Sequence, residues 1–81
     1  MQTVFEKLHD QLLTVEIWLI DYLNAPLSAK EREVALLLQE YILQCWTDPK
    51  KWRSESKAFD AINKVERAWL ALYAHKIKRL K

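Results

Sequence analysis

Asn24-Ala25-Pro26-Leu27-Ser28-Ala29-Lys30-Glu31 ends one helix and begins the next. The residue before a proline avoids the helical region, so a helix arriving from upstream stops at Asn24-Ala25. Ser28-x-x-Glu31 has the form of a capping box, with the Ser28 hydroxyl accepting from the Glu31 amide and Glu31 reaching back. Upstream, Phe5, Leu8, Leu12, Val15, Leu19 and Tyr22 recur in steps of three and four, and Met1, Val4, Trp18 and Leu23 widen that stripe. This is the period of a helix packed along one face.

Downstream of the turn, Val34, Leu37, Leu38, Tyr41, Ile42, Cys45 and Trp46 form the apolar set of a second helix. Asp48-Pro49 closes it and suits a further turn with proline at its first helical position. A third helix starts near Ser54 or Ser56, either of which can serve as N-cap. Its apolar face holds Ala58, Ile62, Val65, Trp69, Leu72, Tyr73 and Leu80, extended on one side by Phe59, Leu70 and Ile77. The chain has no glycine and only two prolines, Pro26 and Pro49, so nothing else interrupts the helices. The expected fold is all-α: an antiparallel three-helix bundle with helices over about 3–24, 29–47 and 55–80, open to dimerising into a larger bundle.

A chain of 81 residues forms one domain over 1–81, with no room for a second core. Domains of this size bury about 60–65% of their unfolded surface, and partners often supplement their stability. At 51% hydrophobic and 30% charged residues, the composition excludes a disordered tail. Cys45 is the single cysteine and cannot form an internal disulfide, which suits a reducing, cytoplasmic compartment. The start lacks the features of a secretory signal, and the most apolar window, 12–23, carries Glu16 and Asp21, so no membrane insertion is expected.

Nothing in the residues points to catalysis. No serine nucleophile stands beside a histidine, and no glycine-rich phosphate loop exists. His9, His75 and Cys45 lack the spacing of a metal site, so neither metal nor cofactor is expected. Glu6, Asp10, Glu16 and Asp21 are spread round the polar side of the first helix and read as a solvated face.

Two features point to surfaces instead. On a helical wheel Leu13, Ile17 and Ile20 fall at i, i+4 and i+7, away from the main stripe of the first helix. Leu36 and Leu43 stand one heptad apart, roughly opposite the main stripe of the second. A lone bundle needs one apolar stripe per helix, so these are surplus and mark a protein-docking or homodimer surface. Trp46 and Trp52, which bracket a basic turn, stand at its edge. The expected role is a non-enzymatic regulatory or adaptor protein.

The second feature is charge. Residues 1–48 hold three basic and eight acidic side chains (net −5), whereas residues 49–81 hold ten basic and three acidic (net +7). Lys50, Lys51, Arg53, Lys57, Lys64, Arg67, Lys78 and Lys81 therefore form the alternative candidate site, a phosphate-binding stripe for nucleic acid. Asp60 interrupts it, and no recognition-helix turn accompanies it.

Overall fold

A computed structural model describes residues 2–80. Three helices, α1 (Val4–Leu23), α2 (Ala29–Thr47) and α3 (Glu55–Leu80), all pack against one another, with a 3₁₀ turn, Pro49–Trp52, between the last two. Tyr22 meets Glu31 and His9 meets Trp46, so α1 and α2 are antiparallel. Phe5 meets Trp52 and Trp18 meets Trp69, so α3 returns parallel to α1. The order is up-down-up.

The helix ends follow the local chemistry. Thr3 caps α1 by accepting from the Glu6 amide at 3.1 Å, Ser28 caps α2 by accepting from Glu31 at 3.2 Å, and Ser54 accepts from the Lys57 amide at 3.2 Å. Asp48 accepts from the Lys50 amide, with Pro49 first in the 3₁₀ turn. At the α1 C-terminus Asn24 N–H bonds Asp21 O and Ala25 N–H bonds Tyr22 O. These tightened, 3₁₀-type bonds satisfy the last carbonyls where many helices use a left-handed glycine. No described residue has positive φ.

Leu8, Leu12, Val15, Leu19 and Tyr22 from α1 meet Ala35, Leu38, Ile42 and Cys45 from α2 and Ala58, Ala61, Ile62, Val65 and Leu72 from α3. Each large aliphatic side chain so buried contributes about 1.5–3 kcal/mol. The expected stripes are corrected at their flanks. Leu37, assigned to the core from its spacing, is 58% exposed, and Ala35 is fully buried in its stead. The buried arc of α2 is centred between its two neighbours, which shifts it round the helix from the bulkiest residues. On α3 the expected core residues Phe59, Leu70, Tyr73 and Ile77 are exposed. With 26 residues α3 is about 39 Å long, against about 30 Å for the 20-residue α1. Ala58, Ala61, Val65 and Leu72 are buried on its inner face, and the four exposed residues stand on the flank of that face, Tyr73 beside Trp18. Met1 and the side chain of Leu80 lie outside the described residues.

Candidate docking face

α1 turns one flank toward α2, and that flank carries Glu16 and Ile20 above the buried Leu12 and Leu19. The facing flank of α2 carries Leu36, Gln39, Leu43 and Trp46. Together they line an open cavity of about 380 Å³, floored by Ile42. Ile20, Leu36 and Leu43 are exposed, Leu43 by 59%. Burial of Leu12, Val15 and Leu19 on one arc leaves Leu13, Ile17 and Ile20 on the outer side of α1, toward water.

Trp46 forms one end of the cavity. Its indole Nε1–H donates to the Glu16 carboxylate at 2.9 Å, and the His9 ring meets it edge-on at 5.1 Å between centroids. The ring is thereby fixed with its apolar part toward the groove. Both ionisable side chains lining the cavity, Glu16 and Glu40, are acidic. Glu40 makes no ion pair or hydrogen bond among the described residues.

The structure therefore brings Ile20, Leu36, Leu43 and Trp46 together. Leu13 and Ile17 lie on the same side of α1 but outside the cavity lining, exposed by 44% and 69%. Trp52 lies elsewhere: it is partly buried against Phe5, and its Nε1–H donates to the Cys45 carbonyl at 2.6 Å. It plugs the end of the bundle, while Trp46 borders the groove. Gln39 and Glu40 were not singled out from the sequence, and Glu16, read there as part of a solvated acidic face, is half-buried and accepts from Trp46. The only signal for them was their helical spacing from Ile20, Leu36 and Leu43.

The basic residues form a looser set. Lys50, Arg53, Lys57, Lys64, Arg67 and Lys78 are all exposed. Lys57, Asp60 and Lys64 surround Tyr41, and the Lys64 ammonium sits 5.7 Å over the Tyr41 ring. Burial raises the pKa of the Tyr41 phenol, and Cys45 and Asp60 add to the shift. The side chain of Lys51 and the whole of Lys81 lie outside the described residues.

Among the described residues no three His, Cys, Asp or Glu side chains are grouped to hold a metal ion, and no helix is long and apolar enough to cross a membrane. Cys45 is buried and makes no disulfide. Comparison with protein-family models, with curated proteins and with solved structures finds no match.

Proposed function

We propose that the protein is a non-enzymatic interaction module that docks onto another protein surface, its own included, through the α1–α2 face. The observation that carries this reading is the open seam itself. Exposed aliphatics from two helices flank one apolar cavity with an oriented tryptophan at its end. Exposed apolar groups that converge in this way mark interaction sites, whereas isolated ones do not. Covering Leu13, Ile17, Ile20, Leu36 and Leu43 would contribute about 7–15 kcal/mol before the costs of association. The action is occupancy of a surface, as in a regulatory or adaptor protein, within a reducing cytoplasmic compartment that suits the single thiol.

The experiment compares capture by the intact protein with capture by the pair Ile20→Glu and Leu43→Glu, and by Lys57→Glu with Lys64→Glu as a control on α3. Helicity of each variant is verified by circular dichroism. The α1–α2 pair is expected to lose its partner while the α3 pair keeps it. Equal capture by all three contradicts the reading. The rival reading, nucleic-acid binding through the basic face of α3, predicts the reverse: a low-salt mobility shift abolished by the lysine substitutions and untouched by the leucine and isoleucine ones.

A further inference from the structure

The end of α2 has no glycine to turn it out, so its last carbonyls take other donors. The Asp48 amide donates to the Gln44 carbonyl at 2.8 Å, and the Thr47 hydroxyl donates to the Leu43 carbonyl at 3.0 Å. In a continuing helix the next carbonyl, that of Cys45, would receive the amide of residue 49. Residue 49 is proline and has no N–H. Proline also disfavours the helical region for the residue before it, and Asp48 leaves the helix there with φ −131° and ψ 84°. The Trp52 indole reaches back across the turn, and its Nε1–H donates to that same Cys45 carbonyl at 2.6 Å.

We infer that Trp52 straps the α2–α3 joint shut, its indole N–H standing in for the backbone donor that Pro49 lacks. The strap is independent of the docking reading. One side chain joins three elements: Trp52 belongs to the 3₁₀ turn, bonds the last turn of α2 and packs its ring against Phe5 in the first turn of α1. From the other side of the turn, the Asp48 carboxylate accepts from the Lys50 amide at 3.2 Å. α3 begins at Glu55, under the Ser54 cap, so a fixed indole fixes where the third helix starts. A phenylalanine at position 52 would also plug the end of the bundle, but it has no N–H to give. Ring and donor are therefore separable. Loss of the donor alone loosens the joint, residues 48–54, in which Lys50 and Arg53 are exposed.

Tryptic cleavage of the folded protein after Lys50 and Arg53, followed by mass spectrometry, reads that loosening. Trp52 is replaced by benzothienylalanine, which keeps the ring shape and has sulfur where the indole has N–H. Cleavage in the joint is expected to quicken by about two- to tenfold, the contribution of one hydrogen bond. In a Pro49→Ala background residue 49 has an amide again, and Asp48 is free to turn helical. There the same replacement is expected to quicken cleavage by less than about twofold, because backbone and indole compete for one carbonyl. Circular dichroism verifies that every variant keeps its helices. Joint cleavage unchanged by the isostere overturns the strap. An equal rise in both backgrounds means that the indole replaces no backbone donor, and overturns the inference as well.

Discussion

Along the α1–α3 seam, Trp18 stacks on Tyr22 at 4.6 Å and meets Trp69 edge-on at 6.3 Å, with Tyr73 alongside and the Lys76 ammonium 5.7 Å over the Trp18 ring. On the α2–α3 seam the Lys64 ammonium lies over the Tyr41 ring, beside an open cavity that Lys57 and Asp60 also line, and a second cavity lies between Val34 and Leu72. Along the α1–α2 seam Ile20, Leu36 and Leu43 flank an open cavity, and Trp46, with the His9 ring edge-on against it, stands at its end. The α1–α3 seam is thus closed by rings under a lysine, the α2–α3 seam keeps openings lined largely by polar and charged side chains, and the α1–α2 seam holds the greasy, acidic one. The α1–α2 seam is the one a partner would complete.

If the closed seam carries stability and the open one carries binding, substitutions separate the two. The largest effect is expected from Trp18→Ala, which removes ring contacts to Tyr22, Trp69 and Tyr73. It should cost about 2–4 kcal/mol. For a domain of this size that lowers the melting midpoint by about 4–8 °C per kcal/mol, read by thermal denaturation. Trp46→Phe follows: it loses the N–H donated to Glu16 and should cost about 0.5–1.5 kcal/mol by denaturant titration. Ile20→Ser and Leu43→Ser, on the open seam, should each change the stability of the monomer by no more than about 0.5 kcal/mol. A cost near that of Trp18→Ala would erase the distinction between the seams.

The smallest effect concerns Tyr41 on the α2–α3 seam. The Tyr41 phenol is raised above its ordinary 10.0, first by burial and then by Cys45 and Asp60. The folded state holds that proton more tightly than the unfolded one. Its contribution to stability is complete below pH 10.0 and is lost as pH rises through the folded value. Spectrophotometric titration should show Tyr41→Phe removing a late-titrating phenol, and titration of that phenol at its ordinary value would contradict that burial.

Much of the fold was legible in Pro26, Pro49, the Ser28 cap and the three- and four-residue spacing, because those features act locally. The flanks were not. Leu37 looked like core and Ala35 did not, since hydrophobicity on a wheel cannot say where two neighbours press on one helix. Phe59, Leu70 and Ile77 misled for the same reason. At the candidate site, the surplus of Leu13, Ile17, Ile20, Leu36 and Leu43 was legible. That Ile20, Leu36 and Leu43 share a cavity depends on which flank of α1 faces α2. No spacing along a single helix encodes that. Trp46 and Trp52 looked equivalent in sequence, and the turn at Asp48-Pro49 sends them to opposite tasks.

A photoreactive side chain placed at Leu43, and in a separate variant at Thr14 on the far flank of α1, reports most directly on which seam is covered in the working protein. Irradiation in the native host should yield a discrete protein adduct from position 43 and none from position 14. Silence at 43, or equal labelling from both positions, would mean that the greasy seam faces only water.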